Sequence, residues 1–342
     1  MERKPIKVAV VGLGIGAGHV KTYQELPDAE LVAICDSSAP WLDHCRQQWG
    51  VADGYTDYHD LLAREDLDAV SIALPTYLHA SAVIDALEAG KHCLVEKPMA
   101  SDAAEGERMA AAAKSNGRLL MVSYNQRFSP DVRYLKRAID DGALGDIYFA
   151  RTLWRRPMGM MPEPVMDRPT GSYDRNWFNE VDRGGGVARD LGSHVIDVAL
   201  WLMGFPEVAD VRGHAYTMFG PDFVKGKGVK FDADDHSVGF VRFRNGASLQ
   251  IEVSFGSHAE KETIVTELFG SKGGAVRSAG QPPKLFGETA GAYTITEPRL
   301  QEPPASTQAE FVRSILEGRE PAVTTEQAIT VMRIIDEIRA GA

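Results

Sequence analysis

The stretch GGGVARDLGSHVIDVALW, residues 184–201, places Asp190 and His194 four residues apart at the head of an otherwise apolar helical pattern. Residues at that spacing share a helix face, so the carboxylate can orient the imidazole or hold a substrate hydroxyl. An imidazole titrates near pH ~6.5 and can accept a proton at neutral pH, a contribution typically worth ~10²–10⁴-fold in rate. Two plainer roles suit the same residues: a carboxylate near a helix N-terminus complements the helix dipole, and a histidine can sit hydrogen-bonded in a core. Asp197 extends the face and is assigned to structure. Catalytic zinc normally takes three protein ligands, and no histidine-rich motif accompanies this helix, so no metal is expected.

A second constellation opens the chain. In VGLGIGAGHV, Gly12 and Gly14 flank the tight turn of a dinucleotide fingerprint, followed by Ile15, with Ala17 at the third small position. Such glycines let the backbone approach a pyrophosphate at a helix N-terminus. Asp36 ends the second apolar run, where an acid accepts hydrogen bonds from an adenosine ribose; two serines follow it rather than an arginine, which favours NAD over NADP. The plainer alternative is a glycine-rich turn beside a solvent-facing aspartate.

Three further features fall at carboxyl ends of apolar runs: LPTYLHA, EKP and YNQRF. Ligands of open α/β sheets bind at that edge. Leu74, Pro75, His79, Glu96, Lys97 and Asn125 are therefore candidate cofactor contacts, and Lys97, delivered by HCLVE and followed by Pro98, stands where a reactive ring should lie. Lysine is more commonly a solvated surface residue, and His79, starting a helix, could face solvent. For the substrate, Arg127, Trp154, Arg156, Tyr173 and Trp177 offer aromatic faces and hydrogen-bonding groups suited to a carbohydrate, although packing explains each of them as well.

The elements that must position these groups follow from periodicity. IKVAVVG, ELVAICD, DAVSIALP, HCLVEKP and RLLMVSYN are near-continuous apolar runs separated by helical patterns, which predicts a doubly wound parallel sheet over residues 1–123. HASAVIDALEAGK has a clear apolar stripe and a stop at Gly90. Residues 124–342 change texture: longer strands alternate in polarity, FRNGAS reads as a hairpin turn, and 157–183 reads as a long connection. Two Thr-capped helices close the chain. The expected class is α/β: an N-terminal Rossmann sheet plus a C-terminal α+β domain with an open, largely antiparallel sheet.

A chain of 342 residues exceeds one core, in line with two domains. The net charge of −11 disfavours nucleic acid and acidic membrane as partners. The 3 cysteines show no CxxC spacing, and MERKPIKVAVVG enters a strand without the apolar segment of a signal peptide, so a reducing, cytoplasmic setting is expected.

Taken together, GLGIGAGH, EKP at 96–98, YNQRF at 124–128 and GGGVARDLGSHVIDVALWLMG at 184–204 resemble the Gfo/Idh/MocA oxidoreductases, a family that includes glucose-fructose oxidoreductases and inositol dehydrogenases. The order and spacing match over essentially the whole chain; His19 stands one residue earlier than in commoner members, and Ala17 replaces the usual glycine. The resemblance implies that Lys97, Asp190 and His194 form the catalytic group, that the Lys97–Pro98 bond is cis, and that the C-terminal sheet packs in a homodimer or homotetramer. It implies NAD-dependent hydride transfer at a secondary hydroxyl of a sugar, glycoside or cyclitol. Two other functions fit the fold: redox-assisted glycoside elimination without net NADH, and a non-enzymatic NAD-binding regulator, against which the intact catalytic group argues.

Overall fold

The apolar runs of the first third build a six-stranded parallel sheet whose middle strands are covered on both faces. Its strands are β1 (Ile6–Val11), β2 (Ala29–Cys35), β3 (Asp53–Tyr55), β4 (Ala69–Ile72), β5 (His92–Glu96) and β6 (Leu120–Ser123), in the order β3-β2-β1-β4-β5-β6. All of β4 and β6 is buried. β1 pairs in parallel with both β2 and β4, so the winding reverses direction between β1 and β4. Such a switch point leaves a crevice at the carboxyl ends of the strands. The edge strand β3 leaves no mark in the sequence because three residues are too short for any periodicity to register.

Helices α1 (Gly16–Glu25), α2 (Ala39–Trp49), α3 (Tyr58–Leu62), α4 (His79–Glu88) and α5 (Ala103–Asn116) follow the first five strands in turn. Their ends are written locally. Asp102 accepts a hydrogen bond from the Glu105 amide to cap α5, and Gly90 takes φ +76° just beyond α4, where the sequence expected the stop. This computed structural model describes residues 4–303 and 305–341. The parallel sheet lies in a unit comprising Met1–Tyr124, Val165–Asp174 and Ser306–Thr330; a second unit comprises Asn125–Pro164, Arg175–Ala305 and Val331–Ala342.

The second unit begins with helix α6 (Pro130–Asp140) and is built on an eight-stranded sheet. Its first strand, β7 (Ile147–Pro157), is followed by the long connection, which is not structureless: β8 (Val165–Arg168) and β9 (Gly171–Asp174) pair as a hairpin that clusters with the first unit. Then come helix α7 (Ser193–Leu202), β10 (Val208–Tyr216), the short helix α8 (Gly220–Phe223), β11 (His236–Phe243), β12 (Ser248–Ser257), β13 (Thr263–Gly270), β14 (Gly273–Ser278), β15 (Lys284–Thr289) and β16 (Ala292–Thr296).

The sheet order is β10-β11-β12-β7-β13-β14-β15-β16. Only β12 and β7 run parallel; every other neighbouring pair is antiparallel, as the alternating polarity predicted. The β11–β12 turn falls at FRNGAS, with Gly246 at φ +89° and the Asn245 side chain accepting the Ala247 amide at 3.0 Å. Under the sheet lies an apolar cluster that includes Val187, Leu191, Val195, Phe231, Val253 and Phe255. The last two helices are α9 (Thr307–Glu317) and α10 (Thr325–Ala340). Each cap falls one residue before the expected threonine: Ser306, not Thr307, accepts the Ala309 amide at α9, and Thr324, not Thr325, accepts the Gln327 amide at the start of α10.

Candidate functional site

The glycine turn leaves β1 under tight steric constraint. Gly12 has φ +88°, and a Cβ there would lie 2.5 Å from the Ala73 carbonyl oxygen, so only glycine fits. Ala17 holds the third small position of the fingerprint, but the close helix–strand packing is made by Gly16, whose would-be Cβ meets Val10 Cγ1 at 3.0 Å and Ala73 Cβ at 3.2 Å. Helix α1 starts with no side-chain cap and no acid in its first turn, and Ile15 at its head is exposed. Uncapped amides behind a glycine turn are the donors a pyrophosphate requires, so this unit fits a dinucleotide.

Asp36 stands at the end of β2 and clamps the turn: its Oδ2 accepts the Leu13 amide at 3.0 Å and its Oδ1 the Ser38 amide at 3.0 Å. Trp41 Nε1 donates to the Leu13 carbonyl at 3.2 Å, fixing the other side of the same residue. The hairpin arrives here as well. A Cβ on Gly14 would meet Arg168 Nη2 at 3.2 Å and Tyr173 Oη at 3.4 Å. Tyr173, expected among substrate contacts, thus sits over the glycine turn within the first unit, a placement no sequence signal inside the 157–183 connection could give.

At the ends of β4 and β5 the loops are braced from within. His79 is 1% exposed, with Nδ1 2.9 Å from the Pro98 carbonyl oxygen and Nε2 2.8 Å from the Leu74 carbonyl oxygen. It does not face solvent; both ring nitrogens address the chain, and burial pulls its pKa down against those two contacts. The ring ties the Leu74–Pro75 loop to the turn that carries Lys97. The Lys97–Pro98 bond is cis.

Glu96 is buried too. Its Oε1 lies 2.8 Å from His19 Nε2, whose other nitrogen lies 2.7 Å from Ser71 Oγ, and its Oε2 accepts the Lys97 amide at 3.2 Å. Burial works to raise the Glu96 pKa, and the His19 hydrogen bond with the charges of His19 and Lys97 outweighs it, leaving the carboxyl below its ordinary value. His19, noted in the sequence only for its displaced position, is therefore the link joining α1, β4 and β5 beneath Lys97. Asn125, just past the end of β6, is exposed and opens the second unit.

In the second unit the triple glycine lets the backbone pass close to the chain's own atoms. A Cβ on Gly185 would strike the Trp177 carbonyl, and one on Gly186, at φ +112°, would strike the Asp234 carboxylate. The close approach is to the chain itself. Asp234, 4% exposed, accepts the Ala188 amide at 2.8 Å and the Ser237 hydroxyl at 2.9 Å through Oδ2, and Arg339 Nε at 3.0 Å through Oδ1. It clamps the start of a π-helical turn, Ala188–Gly192, that runs straight into α7. Asp190 lies in that turn and His194 in the first turn of α7, so the pair straddles a π-to-α junction rather than one regular helix. Such junctions recur at functional sites.

Trp154, near the end of β7, stands beside His194 with ring centroids 5.7 Å apart. Its Nε1 donates to Glu262 Oε1 at 2.8 Å, Arg156 Nε donates to the same oxygen at 3.2 Å, and the Arg156 guanidinium lies 5.3 Å from the Trp154 ring centre. The structure brings Trp154 next to the expected base, sets Arg156 against the Trp154 ring, and adds Glu262, which no motif flagged.

Two other expected substrate residues lie elsewhere. Trp177 is 7% exposed, packs on Phe178 and supports Gly185 from below. Arg127 is 1% exposed and makes a forked pair with Asp197, Nε to Oδ2 at 2.9 Å and Nη2 to Oδ1 at 2.5 Å, with the Phe205 ring centre 5.0 Å away. A buried guanidinium committed to a carboxylate is a core strut, which corrects the reading of Arg127 as a contact for substrate hydroxyls. Burial pushes the Asp197 carboxyl up against the pull of Arg127.

Comparison with known proteins gives the same division of labour. Residues 6–124 match the oxidoreductase family with an NAD-binding Rossmann fold, and residues 132–276 match the Gfo/Idh/MocA C-terminal domain. The chain is 30% identical over 283 residues to D-glucoside 3-dehydrogenase of Escherichia coli strain K12, covering 80% of this chain and 78% of that protein. It is 29% identical over 269 residues to myo-inositol 2-dehydrogenase of Thermotoga maritima, covering 78% and 74%. The fold superposes on levoglucosan dehydrogenase in complex with NADH with a TM-score of 0.86 at 24% identity, over 98% of this chain and 96% of the other. The chain belongs to the Gfo/Idh/MocA family of oxidoreductases.

Proposed function

We propose that this protein is an NAD-dependent dehydrogenase that transfers a hydride between a secondary hydroxyl of a sugar, glycoside or cyclitol and the nicotinamide. The observation that carries the reading is the clamped π-to-α junction that presents Asp190 and His194, in a chain whose other unit holds a glycine turn shaped for a dinucleotide. When bound, NAD supplies the hydride acceptor. The chain must supply the proton chemistry, because an alcohol is too weak an acid to ionise unaided. His194 takes the hydroxyl proton and Asp190 orients the imidazole, and Lys97 is kept as the third member of the proposed catalytic group, a cation able to stabilise developing negative charge. Trp154, beside His194, and Arg156, held to it by Glu262, offer an aromatic face and a cation for the substrate's ring and hydroxyls.

Similarity supports the substrate class: D-glucoside 3-dehydrogenase and myo-inositol 2-dehydrogenase are named for oxidation of ring hydroxyls. NAD rather than NADP follows from Asp36, whose carboxylate at the end of β2 repels a ribose phosphate. A substrate panel with NAD, followed in the near-ultraviolet band of NADH, tests the reading. Net NADH formation supports it, while glycoside cleavage without NADH would replace it with redox-assisted elimination.

The partner in solution is proposed to be a second copy of the chain. On the outer face of the large sheet, Phe149, Phe269, Gly274, Phe286 and Ile295 are paired register by register into one row across five strands, and Phe269 and Ile295 are 37% and 60% exposed. An apolar row of that extent suits an isologous dimer or a tetramer built from it. Light scattering on the purified chain checks this; a monomer at micromolar concentration would refute it. A reducing, cytoplasmic compartment suits Cys35, Cys45 and Cys93, all buried and unbridged. Among the described residues no helix is long and apolar enough to cross a membrane.

A further inference from the structure

The hairpin β8–β9 delivers a cation to the glycine turn that neither the fingerprint nor the acid–base group explains. Arg168, the last residue of β8, lies with its guanidinium carbon 3.5 Å from the Tyr173 ring centre and 4.7 Å from the Trp41 ring centre. Trp41 is itself tied to the Leu13 carbonyl. Stacking on rings occupies the faces of a guanidinium and leaves its in-plane N–H donors for an acceptor. Arg168 Nη2 is shielded from solvent and has no hydrogen-bond acceptor in the described structure. A buried charged donor with nothing to donate to is costly, so an acceptor is expected at that atom.

Its neighbour identifies the acceptor. Nη2 lies 3.2 Å from where a Gly14 side chain would begin, and the second glycine of a dinucleotide turn is the position kept bare for the pyrophosphate. The α1 amides alongside it are uncapped. Building on the NAD-dependent reading above, we propose that Arg168 is a pyrophosphate ligand, held ready by Trp41 and Tyr173, and that the β8–β9 hairpin is a strap over the cofactor's diphosphate. An arginine fork matches two phosphate oxygens at once, which a lysine cannot do.

The test measures dissociation constants by titration calorimetry for NADH and NADPH, and for adenosine by competition, with the wild-type chain, Arg168→Gln and Arg168→Lys. Loss of a charged, desolvated hydrogen bond should weaken NADH roughly ten- to hundredfold in Arg168→Gln and less in Arg168→Lys. NADPH should weaken by the same factor, and adenosine, which has no phosphate, should be unaffected. The wild-type NADH affinity should also fall more steeply with salt than that of Arg168→Gln.

Unchanged NADH affinity in Arg168→Gln overturns the proposal and leaves the dehydrogenase reading intact. Weakening of NADPH alone would make Arg168 a reader of the ribose phosphate instead. Parallel loss of adenosine binding would reduce the residue to a packing element of the hairpin. A wild-type chain that binds neither dinucleotide would overturn both this proposal and the function it rests on.

Discussion

Arg127 and Asp197 show how a residue's type can mislead while its neighbours inform. Both are 1% exposed at the side chain, and the pair holds the turn after β6 to α7. Removing one partner strands a buried charge, so Arg127→Met should lower stability by about 3–5 kcal/mol, read from urea unfolding; a loss below 1 kcal/mol would mean water already screens the pair. His194→Ala and Lys97→Ala should instead leave stability nearly unchanged and lower kcat by ~10²–10⁴-fold, with NADH affinity retained in His194→Ala. Lys97, Asp190 and His194, the proposed catalytic group, stand out in the sequence because short motifs carry them. His19, Glu262 and Asp234 do not, since each acts through a partner at least 46 residues away, Ser71 and Glu96, Trp154 and Arg156, and Ala188 respectively.

Among the elements, the one that matters most is the junction at Ala188–Gly192. Its position depends on Gly186, whose φ of +112° and contact with Asp234 admit no side chain. Gly186→Ala should displace the Asp234 clamp, cost about 1–3 kcal/mol of stability, and lower kcat with little change in NADH affinity, a split that steady-state kinetics and titration together resolve. Affinity lost in step with kcat would contradict this role. The sequence showed α7 through its apolar body, but a π turn has no periodicity of its own in so short a run. Nor could the hairpin be read: VMDR and GSYD are too polar and too short to stand out as strands. The parallel strands were plain because burial on both faces demands unbroken apolar runs.

For the whole molecule, acid sensitivity follows from histidines whose pKa burial lowers. Burial lowers the pKa of His79 and of His92 in the folded chain. In the unfolded chain an imidazole takes up its proton near pH ~6.5, so their contribution is complete above that range and is lost as pH falls toward the depressed folded values. Stability to urea should therefore decline between about pH 7 and pH 5.5, and the decline should be shallower in His79→Asn. An unchanged slope would assign the acid sensitivity to other groups. Fold class and the two textures of the chain were legible from periodicity alone, whereas the grouping of 165–174 and 306–330 with the parallel sheet rests on long-range contacts that leave no local trace. Hydride transfer to the nicotinamide is the decisive step. A sugar or cyclitol that the enzyme oxidises, carrying deuterium on the carbon of the reacting hydroxyl, should deliver that deuterium to C4 of the nicotinamide, and His194→Ala should deliver almost none. Turnover of the substrate with no deuterium on the nicotinamide would contradict the account.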